Sequence, residues 1–192
     1  MLFLRIILIS FICLSFSSCK ENEKERIARL VGEWAGREVI FPSHPVFTIQ
    51  GSDTVDFNYR QADYKIVTYV DSVGCTGCKL QLPLWSDFVA EVNSLTQGNV
   101  PFVFCFHPRA LKEMKYLLHL EGFEYPVFLD VKDEFNRLNQ FPNDMMFQTF
   151  LLDKENKIVS IGNPIHNPKV KALYLKHISG QCTSGDDSVP KK

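Results

Sequence analysis

Val73-Gly74-Cys75-Thr76-Gly77-Cys78-Lys79-Leu80-Gln81-Leu82-Pro83 is the stretch on which the reading of this chain turns. Residues 64–71, YKIVTYVD, form a β-branched and aromatic run that predicts a buried strand. After the stretch, Leu80, Leu84, Phe88 and Val92, together with Leu82, Trp85, Val89 and Leu95, recur at helical spacing. The two cysteines therefore fall where a strand hands over to a helix, with Cys75 near the first helical position and Cys78 one turn on. Unpaired N–H groups and the positive end of a helix dipole favour a thiolate, so this placement predicts a Cys75 pKa below the free-thiol value of about 8.5. A spacing of three along a helical turn also brings Cys78 close enough to close a small disulfide ring.

Zinc ribbons also contain such pairs, but neither a second CxxC nor an HxxxH is present to complete a structural zinc site. A static disulfide is the plain alternative, although a loop this short gains little from closure. Strand, CxxC, and helix with Pro83 five residues after the second cysteine together resemble the thioredoxin-like superfamily. Cys75 and Cys78 match that superfamily's redox pair, and Pro83 matches the proline that kinks its helix. The resemblance implies a nucleophilic Cys75 that forms a mixed disulfide with a partner and a Cys78 that resolves it. Thr76 and Gly77 would then set the local geometry and potential between the sulfurs.

Upstream, residues 1–19 read as a targeting segment outside the fold. Arg5 supplies the charge, residues 6–16 an apolar run too short to span a bilayer comfortably, and Phe16-Ser17-Ser18-Cys19 a small-residue cleavage site. The segment resembles a bacterial lipoprotein signal, which implies lipidation at Cys19 and export to a compartment where a CxxC pair can stay oxidised. Residues 20–26, KENEKER, predict a solvated tether or the exposed start of a helix through Ile27, Leu30 and Val31. Acidic residues directly after such a cysteine resemble the surface-export signal of Bacteroidota lipoproteins, which implies an outer membrane. Residues 37–41 and 46–49 are β-like pieces separated by Pro42 and Pro45, and predict a small N-terminal β extension within residues 20–60.

Downstream the elements alternate. Residues 101–107, PFVFCFH, predict a second strand, and Ala110, Leu111, Met114, Leu117 and Leu118 a helix with one apolar face. Residues 125–130, YPVFLD, predict a third strand, followed by a short helix over 132–138. Residues 147–153 pair with 158–161 as a hairpin across Lys154-Glu155-Asn156-Lys157, and a helix over 169–178 closes the domain. The fold class expected is α/β: a thioredoxin-like three-layer sandwich whose mixed sheet has parallel core strands and a C-terminal antiparallel hairpin. The order resembles the envelope branch of the superfamily, the TlpA and ResA type, and also the peroxiredoxins, over residues 61–179, with 180–192 a polar tail.

One departure stands before the hairpin. Relatives of this type carry a cis-proline opposite the CxxC, and alignment on Phe150-Leu151-Leu152-Asp153 puts Phe147 there. A cis bond before Phe147 would cost roughly 3 kcal/mol over trans, so a rearranged loop is expected. Met145, Met146 and Phe147 then form the loop that would face a substrate. Met145 also falls where the Sco-type copper proteins of the superfamily place a histidine ligand, which makes Cu(I) held by Cys75, Cys78 and Met145 the alternative to a cofactor-free protein. Those proteins use CxxxC.

Among the remaining residues, His107 ends the second strand at the carboxyl edge, where α/β sheets place their sites, and reads as an acid, base or ligand or as a backbone cap. Cys105 reads as a buried inert thiol, and Trp85 with Phe102, Phe104 and Phe106 as core. Asp71 reads as a cap or turn residue, with a proton relay the sharper reading. His166 reads as loop, and Cys182 lies in the tail. The chain has 192 residues, formal net charge −1 and 45% hydrophobic content, enough for one domain with a real core. No basic stripe points to nucleic acid. The expected partners are cysteine-containing envelope proteins, an upstream redox donor or acceptor, and the membrane through the lipid anchor. Two rival classes stand beside this reading, copper delivery and a non-catalytic binding module. Nothing matches the threonine-plus-cysteine peroxide pocket of peroxiredoxins.

Overall fold

The computed structural model describes residues 22–71 and 80–180, and the chain divides into two compact units, Met1–Glu33 and Trp34–Lys192. The targeting segment with Cys19, the Cys75–Cys78 pair and Cys182 lie outside the described residues.

Helix α1, Glu23–Trp34, starts on a reciprocal cap. The Asn22 side chain accepts from the Glu25 N–H at 2.9 Å, and the Glu25 carboxylate accepts from the Asn22 N–H at 3.4 Å. Exposed ion pairs Glu23–Arg26 and Arg29–Glu33, at 2.7 and 2.9 Å, add at most a few tenths of a kcal/mol each.

The second unit is built on a seven-stranded mixed sheet. Its strands are β1 (Phe47–Ile49), β2 (Asp53–Val55), β3 (Tyr64–Val70), β4 (Phe102–Phe106), β5 (Val127–Leu129), β6 (Thr149–Asp153) and β7 (Ile158–Ile161), in the spatial order β2-β1-β5-β4-β3-β6-β7. β3, β4 and β5 run parallel; β6 lies antiparallel on β3, and β7 antiparallel on β6. The two parallel crossovers are made by α2 (Leu82–Thr96) and α3 (Leu111–Leu120), as parallel neighbours require. α4 (Glu134–Asn139) leads from β5 towards the hairpin, and α5 (Pro168–Ile178) follows it.

Alternation along the strands divides the core into two layers. Ile66, Val70, Phe102, Phe104, Phe106 and Leu151 face α2, α3 and α5, where Trp85, Phe88, Val92, Met114, Leu118 and Tyr174 complete a cluster of buried side chains. The intervening residues meet an aromatic layer on the other face: Tyr69 and Phe150 contact Phe141, which packs on Trp34 and on Phe135 of α4. Helices on both faces of a mixed sheet give the three-layer sandwich expected from the sequence.

Two local expectations change. Residues 37–41 do not form a strand. They run beside β7 through the single bridge Glu38–Lys157, with Gly36 N–H on the Ile158 carbonyl at 2.8 Å and Val39 N–H on the Asn156 carbonyl at 2.9 Å. Proline at 42 and 45 removes the donors that a longer pairing would need. The true partner of β1 is β2, reached through Gln50 and Gly51, both at positive φ, and β1 itself docks antiparallel on β5. Gly51 is required twice over, since a Cβ there would also meet the Lys115 side chain at 2.8 Å.

The helix after the cysteines is also broken, not merely kinked. Leu80 is helical, Gln81 turns left-handed at φ 43°, and α2 restarts at Leu82 with Pro83 in its first turn. Proline at that place forfeits only a donor that a helix start leaves unpaired in any case. Leu80, Leu82, Trp85, Phe88, Val89 and Val92 are buried, whereas Leu84 and Leu95 are exposed.

Candidate functional site

Residues 72–79 connect Asp71, at the carboxyl end of β3, to helical Leu80. β3 is an inner strand, between β4 and β6, so the chain leaves the middle of the sheet and returns over the layer that holds α2. Cys75 and Cys78 lie within that connection and outside the described residues; the groups around its two ends can be placed.

On the hairpin side, Met145–Phe147 forms a single 3₁₀ turn capped by the Asp144 carboxylate, which accepts from Met146 N–H at 3.0 Å. No cis peptide occurs among the described residues, so the expected rearrangement takes the form of this turn. Met145 joins Val70, Trp85, Gln148 and Asn163 in a narrow crevice at the carboxyl end of β3. Met146 is half-buried outside that crevice, and Phe147 is buried, with 9% of its surface exposed.

The turn is laced to the loop after β7. Asn163 N–H donates to the Met146 carbonyl and Gly162 N–H to the Thr149 carbonyl, both at 2.9 Å. Beneath them the buried Tyr174 hydroxyl lies 3.1 Å from the Thr149 carbonyl and 3.0 Å from that of Gly162. Thr68 and Thr149 bond hydroxyl to hydroxyl at 2.9 Å across the β3–β6 pairing. A loop tied down from three sides holds Met145 in place although Phe147 stands where relatives of this type carry the proline.

Asp71 and His107 stand side by side, since β3 and β4 pair in register with Val70 opposite Phe106. Gln148 donates its amide to the Asp71 carboxylate at 3.4 Å and to the Pro142 carbonyl at 2.9 Å. His107 N–H donates to the Val70 carbonyl, and its Nδ1 lies 2.8 Å from the Asp130 carbonyl. A carbonyl only accepts, so Nδ1 carries the proton and His107 caps backbone, the plainer of its two readings. His166 is half-buried in the loop before α5.

Cys105 is fully buried and free. Burial, then the nearby Asp130 and Asp133 carboxylates, push its thiol pKa well up, which suits an inert core residue. Gln148, Asn163 and the Thr68–Thr149 pair were not singled out from sequence; a polar residue at the head of an apolar strand was the only signal for Gln148. Gln81 was missed as well, and its side-chain oxygen is buried without a hydrogen-bond partner among the described residues.

No protein-family model matches the chain, and no curated protein matches it. Solved structures do. A proposed protein disulfide isomerase from Bacteroides thetaiotaomicron is 16% identical, with 75% of this chain and 87% of that chain covered at a TM-score of 0.53. A thiol:disulfide interchange protein from a Bacteroides species is 17% identical, with 81% and 97% covered at 0.51. A PrxQ mutant from Xylella fastidiosa is 14% identical, with 78% and 97% covered at 0.52. At these identities the likeness defines the architecture: the chain has a thioredoxin-like fold.

Proposed function

We propose that this protein is a thiol–disulfide oxidoreductase of the bacterial envelope, lipid-anchored at Cys19, exchanging disulfides with exported cysteine-containing proteins through Cys75 and Cys78. The observation that carries the reading is the position of the Cys-Thr-Gly-Cys run, in the connection from the central strand β3 to a helix of this fold. In this reading the Cys75 thiolate attacks one sulfur of a partner disulfide and expels the other as a thiolate. The Cys78 thiolate then attacks Cys75 Sγ, releasing the partner's second sulfur; the partner leaves reduced and the pair becomes a disulfide. The reverse sequence oxidises a partner dithiol, and the difference in reduction potential sets the direction, with 30 mV worth about 1.4 kcal/mol. Met145, beside Val70 and Trp85, would supply an apolar contact for the bound segment.

Trapping tests the reading. A Cys78→Ser chain should accumulate mixed disulfides with envelope proteins that reductant releases, and Cys75→Ser should not. Empty traps in both would leave a binding module. Stoichiometric Cu(I) uptake abolished by Met145→Ala would instead establish copper held by Cys75, Cys78 and Met145.

A further inference from the structure

At the opposite pole, where β3, β4 and β5 begin, lies a cavity of about 470 Å³. Four carboxamides stand around it: Asn58 and Gln61 from the segment before β3, Asn93 near the end of α2, and Asn99 from the turn that follows. All four are exposed, and none of these side chains has a hydrogen-bond partner among the described residues. The apolar part of the lining includes the half-buried rings of Phe57 and Tyr125. Among the described residues, no Asp, Glu, Lys, Arg or His lines the cavity.

Each of these features narrows the ligand. Without a cation in the wall, a phosphate, nucleotide or carboxylate has nothing to neutralise it. Without a carboxylate, imidazole or thiolate, a metal ion has no ligand of the usual kind. A peptide that binds by strand addition needs a free edge, and the strand in this wall, β4, is already paired on both sides by β3 and β5. Carboxamides both donate and accept, as hydroxyl groups do, so each can bridge neighbouring hydroxyls; aromatic rings suit the apolar C–H face of a pyranose. We infer that the cavity at the amino pole is a binding site for a neutral saccharide. It shares no residue with the crevice at the carboxyl pole, so the inference stands independently of the redox reading.

The test is titration of the isotopically labelled chain with cellobiose, maltotriose and N,N′-diacetylchitobiose, each to about 10 mM, following amide shifts. At least one saccharide should move resonances of residues 57–62, 93–101 and 125–126. The Gln61→Ala/Asn93→Ala chain, altered only at exposed positions and checked for an unchanged circular dichroism spectrum, should bind about tenfold more weakly. Silence with all three saccharides, shifts located elsewhere, affinity unchanged in the double variant, or equal shifts from a capped tetra-alanine peptide would each overturn the assignment.

Discussion

Tyr174 shows how much one buried hydroxyl organises. Its ring fills the core of the helix-covered layer, while its oxygen meets carbonyls on both sides of the β6–β7 hairpin. Tyr174→Phe keeps the ring and removes the one O–H those carbonyls share, with the Thr149 carbonyl keeping the Gly162 N–H, so urea unfolding should show a loss of about 1–2 kcal/mol. Lys65 is the other buried polar residue with an ordering role. It has no exposed surface, and its ammonium reaches the Asp153 carbonyl and the Asn156 side-chain oxygen, both at 3.0 Å, across the hairpin turn. Burial lowers its pKa, against the opposing pull of Asp153 and Glu155. Between the lowered folded pKa and the ordinary unfolded one, the unfolded chain binds more protons, so this residue's contribution makes stability rise with pH there. Below both values its contribution is flat. Denaturant melts of the wild type and Lys65→Met at neutral pH and near pH 10 should therefore differ in slope, with the rise absent from the variant. A single lysine in a strand of seven residues gave no sign of this role, because strand periodicity reports which face a residue lies on and not which distant turn its tip reaches.

Among the elements, the segment before β1 depends on α4. Asn139 is buried, and its carboxamide accepts from the Ile40 N–H and donates to the Ile40 carbonyl, both at 2.8 Å, in the way a neighbouring strand would. Arg37 closes the same contact from its side chain to the Asn139 carbonyl. Asn139→Leu should destabilise by about 1–3 kcal/mol and raise amide exchange at Ile40 selectively, which hydrogen-exchange mass spectrometry or NMR would read. The strands and helices around this contact were legible from period and turn residues: residues 101–107 resolve as β4, 125–130 as β5 and 147–161 as the hairpin, each trimmed by a residue or more. The helix break at Gln81 was not, because glutamine carries no preference for left-handed backbone and Pro83 offered a simpler cause. The second strand of the extension was missed for a related reason. Three residues with two exposed, Asp53-Thr54-Val55, show too little alternation to stand out.

For the molecule as a whole, the aromatic layer on one face of the sheet rests on its first residue. Trp34 opens the second unit and is buried between Phe141 at 6.0 Å and Phe150 at 5.5 Å, with the Arg37 guanidinium 4.3 Å from its ring. Trp34→Ala should cost about 3–5 kcal/mol, measurable by thermal and urea unfolding. The candidate site was legible as a motif more than as a geometry. The sequence placed Cys75 and Cys78 after a buried strand, and Met145 near them; it could not show that Met145 shares a crevice with Val70 and Trp85, which depends on how α2 and the hairpin meet across the sheet.

The outermost strands have a consequence for how this protein keeps company. Along one flank, only the start of β7, at Ile158, is covered by the passage through Glu38; along the other, β2 is three residues long and begins with an exposed aspartate. Among the described residues each flank thus offers a stray chain only a short ledge on which to continue the ladder, which disfavours the zipping of crowded copies into fibres.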